Sequence, residues 1–223
     1  MKPYLIVLGA LAAAATAAEF SNLPRSGYAP ATAEALAVVV ELRTMDPTPS
    51  GMLEESGTGS GIVVDTRGYV LTCFHVVRGS ALVTVDIDGE REVAALVAKD
   101  EFLDLAIVKV DHTFAKAVRW ANSANVRAGD VVIAVGYPFD IGELASLGII
   151  SAVGFKMEYP VFVLDAAINP GNSGGGLFDT SGRLVGIPHR LHAAQGLKAY
   201  TGIGFAIPGN TARLFVNRNV PVP

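Results

Sequence analysis

From Ala35 onward the chain is a succession of short apolar runs cut by turn residues. Residues 37–42 form the first run and 61–64 the second; a turn at Asp65-Thr66-Arg67-Gly68 leads into 69–72. Residues 81–87 alternate, with Leu82, Val83, Val85 and Ile87 apolar, and close at Asp88-Gly89. That dipeptide accepts the positive φ angles of a two-residue hairpin turn. Residues 91–98 return, and 105–110 complete a sixth run. Residues 111–129 are more polar and predict a link between two halves. The second half repeats the pattern at 131–135, 147–153, 161–164, 175–178, 183–187 and 202–207. Asn210 then stands at the N-cap position of a short helical stretch, 211–218, with Ala212, Phe215 and Val216 on one face. Two sets of about six short strands predict an all-β protein, barrel or sandwich. A doubly wound fold would need helical patterns between the strands, and these are missing.

Composition sharpens this picture. The 24 glycines and 12 prolines suit many tight turns, and 51% apolar residues supply a sizeable core for a single unit of 223 residues. A formal charge of −4, with no basic or acidic block, argues against nucleic acid or an anionic membrane surface as partner. Cys73 is the only cysteine, so no internal disulfide forms and the core alone must hold the fold. Before residue 35 the pattern changes. Lys2, an apolar stretch over 4–11 and a run of alanines ending at Ala15-Thr16-Ala17 or Ala18 predict an export signal over 1–18. The stretch, about 15 residues, is short for a membrane span. The chain is therefore expected to be exported, periplasmic or secreted, with an uncleaved anchor as the alternative and no stable span once the signal is removed. Residues 19–33, with Pro24, Gly27 and Pro30, read as an extended arm.

Three segments carry candidate chemistry. Val70-Leu71-Thr72-Cys73-Phe74-His75 is a strand running into a histidine, and Asp104-Leu105-Ala106-Ile107-Val108 is an acid heading an apolar strand. Asn169-Pro170-Gly171-Asn172-Ser173-Gly174-Gly175-Gly176 is a serine in a glycine-rich loop. A serine hydroxyl is a weak nucleophile until an imidazole takes its proton. An acid beyond the imidazole fixes its tautomer and stabilises the imidazolium. Glycines flanking the serine let backbone N–H groups, those of Gly171 and Ser173, turn toward a developing oxyanion. Alone, each residue has a bland explanation; together, in this order and setting, they point to acyl transfer.

These segments resemble the chymotrypsin-like serine proteases, specifically the HtrA/Deg branch. The resemblance runs from about Ala35 to Asn210. It includes Val135-Gly136-Tyr137-Pro138-Phe139, Gly148-Ile149-Ile150-Ser151-Ala152, Asp165-Ala166-Ala167-Ile168-Asn169 and Gly202-Ile203-Gly204-Phe205-Ala206-Ile207-Pro208. It implies two six-stranded antiparallel β-barrels, over 34–112 and 128–210 of a protease domain spanning 34–223, with the site in the cleft between them. It implies a catalytic triad of His75, Asp104 and Ser173, an oxyanion turn of Gly171, Asn172 and Ser173, and a substrate pocket at Ala167, Ile168 and Asn169. Uncharged Ala167 at the pocket base implies a preference for small or apolar residues before the scissile bond. Unfolded or processed protein substrates, a possible homotrimer and no metal or organic cofactor are further implications. The chain departs from the branch in having Cys73 where an asparagine is frequent and in showing no PDZ domain after the protease.

Other readings fare less well. Gly171-Asn172-Ser173-Gly174-Gly175 fits the nucleophile elbow of α/β-hydrolases, but the glycines after Ser173 oppose the helix that elbow needs. Cys73 has no glycine-rich turn of its own and reads as a small buried side chain. His189 and His192 are spaced as zinc ligands sometimes are, but no third ligand is evident, and they read as solvated loop residues. A peptide-binding protein on a silent protease scaffold is the alternative from another functional class.

Overall fold

A computed structural model of the chain describes residues 27–191 and 202–222. Among these residues twelve strands close into two antiparallel barrels. The first contains β1 (Val39–Pro47), β2 (Leu53–Asp65), β3 (Tyr69–Cys73), β4 (Leu82–Ile87), β5 (Glu90–Asp100) and β6 (Leu105–Val110), in the order β1-β2-β3-β6-β5-β4. The second contains β7 (Val131–Gly136), β8 (Leu144–Lys156), β9 (Pro160–Leu164), β10 (Gly176–Phe178), β11 (Leu184–Leu191) and β12 (Gly204–Pro208), in the order β10-β11-β12-β9-β8-β7. Among the described residues three α-helices accompany them: α1 (Ala29–Leu36), the single turn α2 (Phe74–Val77) and α3 (Gly209–Asn219). The expected all-β, two-barrel architecture with a short C-terminal helix is the one observed. Among the described residues no helix is long and apolar enough to cross a membrane.

Burial explains why some strands alternate and others do not. Val63, Val70 and Val108 fill the first barrel, while their neighbours Ile62, Leu71 and Ile107 pack outward into a shared core with Val135, Phe178, Leu184, Ile187 and Ile207 of the second. Strands buried on both faces read as continuous apolar runs. At the β4–β5 hairpin, Asp88 (φ 54°) and Gly89 (φ 84°) adopt the positive angles expected of that turn.

Three local features differ from the sequence expectation. Residues 29–33, assigned to an extended arm, instead open α1, where Pro30 sits in the first turn and Ala31 and Ala35 are buried in the shared core. Asn210 does not cap α3. Pro208 holds the N-cap position, while Asn210 Oδ1 accepts from Ser123 N at 3.1 Å and Asn210 N donates to Ser123 Oγ at 2.9 Å. Strand β11 runs past Pro188 to Leu191, because a register shift between Pro188 and Arg190 accommodates the missing N–H.

Candidate active site

Strands β3 and β6 are paired with Cys73 opposite Leu105, so the residues just beyond them, His75 on α2 and Asp104, meet at one end of the first barrel. His75 Nδ1 lies 2.7 Å from Asp104 Oδ2, and His75 N donates to Asp104 Oδ1 at 2.9 Å. Phe74 N donates to the Asp104 carbonyl at 3.0 Å. Asp104 adopts φ 57°, a left-handed conformation that aspartate tolerates better than most residues, and these bonds hold it there. Burial pushes its carboxyl pKa up, but the close approach of the His189 ring at 3.6 Å, the hydrogen bonds from His75 and the nearby His75 charge outweigh burial and hold it well below its ordinary value. Asp104 therefore remains an anion behind the imidazole.

Ser173 lies in the loop between β9 and β10. Gly174, at φ +82°, brings this loop against the first barrel, with the position of a Cβ only 2.3 Å from Thr72 Oγ1 and 2.4 Å from the Ser60 carbonyl. Ser60 N donates to the Ser173 carbonyl at 3.0 Å and Ser60 Oγ to the Gly171 carbonyl at 2.6 Å. His75 and Ser173 consequently line one cleft, together with Thr58, Pro170 and Gly171. Ser173 Oγ donates to the His189 carbonyl at 3.4 Å, and among the described residues it makes no hydrogen bond to the His75 ring.

Two peptide planes set the direction of the candidate oxyanion donors. Phe139 N donates to the Pro170 carbonyl and Gly175 N to the Asn172 carbonyl, both at 3.0 Å. In a trans peptide the N–H points opposite the carbonyl, so the Gly171 and Ser173 N–H groups face away from those anchors. Neither has an acceptor among the described residues. Asn172, by contrast, is 3% exposed and uses its N–H and Oδ1 on Asn169, as a turn residue rather than a donor to the cleft. Of the expected pocket residues, Ala167 is half-buried and its carbonyl accepts from Ser146 Oγ at 3.0 Å. The Ile168 side chain belongs to the core of the second barrel, leaving only its backbone for a pocket wall.

His189 is the site residue that the sequence pattern missed. Expected in a solvated loop, it is 4% exposed on β11, with Nδ1 3.6 Å from Asp104 Oδ2. The apolar run in the sequence ends at Ile187, but the bulge at Pro188 carries the strand on and turns His189 inward. His192 lies outside the described residues. Cys73 is fully buried, as expected, and burial, reinforced by Asp104, pushes its thiol pKa well up, so it stays an unreactive thiol. Ligand atoms of Cys73, His75 and Asp104 lie within 4.8 Å of one another, but a cation there would have to deprotonate that thiol and displace the His75–Asp104 bond.

Comparison with known proteins agrees with this geometry. The model of the trypsin-like peptidase domain matches residues 59–187. A probable periplasmic serine protease of Haemophilus influenzae, do/HhoA-like, is 39% identical over 171 residues, covering 73% of this chain and 36% of that protein. The periplasmic serine endoprotease DegP of Escherichia coli is 38% identical over 170 residues, covering 73% of this chain and 35% of DegP. The chain thus spans about a third of the length of these relatives. The solved structure of the HtrA-type protease AlgW with a decapeptide superposes with a TM-score of 0.78 at 35% identity, covering 85% of this chain and 66% of AlgW.

Proposed function

Because the chain belongs to the trypsin-like peptidase family, in its HtrA/DegP-type branch, we propose that it is a serine endopeptidase whose triad is His75, Asp104 and Ser173. The observation that carries this reading is the 2.7 Å contact between His75 Nδ1 and Asp104 Oδ2, made at the edge of the cleft that Ser173 also lines. His75 Nε2 takes the Ser173 proton as Oγ attacks a peptide carbonyl. The Gly171 and Ser173 N–H groups receive the oxyanion. His75 then protonates the leaving amine, and water repeats the path to release the acid. Rotation of the Ser173 side chain from the His189 carbonyl to His75 precedes attack.

The substrates are unfolded or processed polypeptides, in keeping with relatives that are periplasmic endoproteases and a structural neighbour solved with a decapeptide. Export to the periplasm is supported by the same relatives, which are periplasmic, and by the N-terminal signal pattern. Uncharged Ala167 favours small or apolar side chains before the scissile bond. The Ser173–His189 hydrogen bond also supports a second reading, a peptide binder with a resting serine. A serine-directed phosphonate separates the two. Labelling of wild type but not Ser173→Ala, with peptide-library cleavage after small or apolar residues, supports the protease. Absence of labelling, with both forms binding peptide equally, supports the binder. Cleavage mainly after Lys or Arg removes the assigned role of Ala167.

A further inference from the structure

We propose that His189 is a second imidazole partner of Asp104, a positioning residue that donates its Nδ1–H to Oδ2 and fixes the carboxylate behind His75. The inference rests on the triad reading above. Asp104 Oδ2 accepts from His75 Nδ1 at 2.7 Å, and its side chain is 18% exposed. A carboxylate oxygen accepts from two directions, and the His189 Nδ1 atom lies 3.6 Å from the same oxygen. The His189 side chain is 2% exposed, and neither ring nitrogen has a hydrogen-bond partner among the described residues. A buried imidazole with no partner among the described residues and a half-buried carboxylate with an open acceptor site both gain when a small side-chain rotation closes that gap.

The surroundings leave this role to His189. The Tyr159 ring packs on the His189 ring at a centroid distance of 6.0 Å, but its hydroxyl is committed to the Leu103 carbonyl at 3.0 Å. The Cys73 thiol, on β3, faces the Pro188 carbonyl. Beyond Asp104 and His75, the charges at this end of the cleft among the described residues are Arg78, Glu101 and the Arg190–Glu158 pair at 3.8 Å. Asp104 is thus the anion adjacent to the ring. With its proton on Nδ1, His189 holds Asp104 from one side while His75 holds it from the other. Loss of that donor leaves the carboxylate freer to rotate and more basic toward His75.

Two measurements on the full chain test this. The ring 15N shifts of wild-type histidines report tautomers without requiring activity. His189 as the Nδ1–H form is expected, and His189 as the Nε2–H form overturns the proposal. In kinetics, His189→Leu fills the same space without a donor, while His189→Asn restores an N–H near the Nδ1 position. His189→Leu is expected to lower kcat by roughly tenfold to a hundredfold, the scale of a charge-assisted hydrogen bond, with little change in KM. Its acid limb of kcat/KM moves to higher pH, and His189→Asn recovers most of both. A His189→Leu variant that melts like wild type and keeps its kcat and pH profile overturns the proposal. Failure of the wild type to label with phosphonate or cleave peptides defeats the triad reading instead, and the tautomer result then decides the Asp104–His189 contact by itself.

Discussion

Phe139 N donates to the Pro170 carbonyl at 3.0 Å, and through one trans peptide this contact sets where the Gly171 N–H points. Phe139 and Asp140 both adopt left-handed angles, φ 58° and 57°. Such a turn needs an external hold. Arg43 provides it, bonding Asp140 of this turn, Glu41 of β1 and Glu55 of β2 with one guanidinium. The first barrel therefore reaches across to the turn that orients the Gly171 N–H, a proposed oxyanion donor of the second.

Asp140→Asn tests this link. Asparagine tolerates the left-handed angle, and Arg43 keeps Glu41 and Glu55, so folding is preserved. Loss of the charged contact is expected to lower kcat about threefold to tenfold, equivalent to roughly 1 kcal/mol, with KM nearly constant. A change confined to KM would place the turn in substrate binding instead.

The two barrels were legible because their strands carry uninterrupted apolar runs between strong turn signals, as at Asp88-Gly89. The candidate residues His75, Asp104 and Ser173 stood out because each sits at a strand end or in a glycine-rich loop of distinctive composition. The N-terminal half of β2 was not, since Glu54, Glu55 and Ser56 are exposed and polar and gain their strand conformation by pairing with β1. Helix α1 was hidden because the residues leading into it show little periodicity, although Pro30 is at home in a first helical turn. His189 was missed because the apolar run ends at Ile187, two residues before it, whereas a bulge at Pro188 extends β11. In each case pairing or packing with distant residues overrode a local signal.

Gly174 and Gly79 separate close approach from backbone angle. Both have positive φ, +82° and +79°, but a Cβ at Gly174 would meet Thr72 and Ser60, whereas nothing lies within 4 Å at Gly79. Gly79→Ala is expected to cost about 1–2 kcal/mol and leave activity intact. Gly174→Ala adds steric displacement of the Ser173 loop and is expected to cost roughly 3–4 kcal/mol with phosphonate labelling abolished. Chemical denaturation and labelling rates measure both, and equal penalties would remove the argument for close approach.

Asp104 also makes stability depend on pH. Its folded pKa is depressed, so its contribution is fully present above the ordinary carboxylate pKa, about 3.9, and is lost as pH falls below that value toward the folded one. Asp104→Asn removes this dependence. The melting temperatures of wild type and Asp104→Asn are expected to differ most at neutral pH and to converge as pH drops below about 4. A gap that is constant from pH 7 to pH 2 would mean that Asp104 is not held as a stabilised anion.

Cys73 provides a check on which side chain is the nucleophile. It lies two residues before His75, close enough in sequence to compete with Ser173 for the role. The structure buries it completely between the barrels, and burial raises its thiol pKa, which removes both access and thiolate. Iodoacetamide is therefore expected to leave the native protein's hydrolytic activity unchanged and to modify Cys73 only after denaturation, measured by mass spectrometry. Cys73→Ala should retain activity within about threefold while losing roughly 1–2 kcal/mol of stability, the scale of a small core truncation. Rapid alkylation of the folded protein with parallel loss of activity would move the chemistry from Ser173 to the thiol.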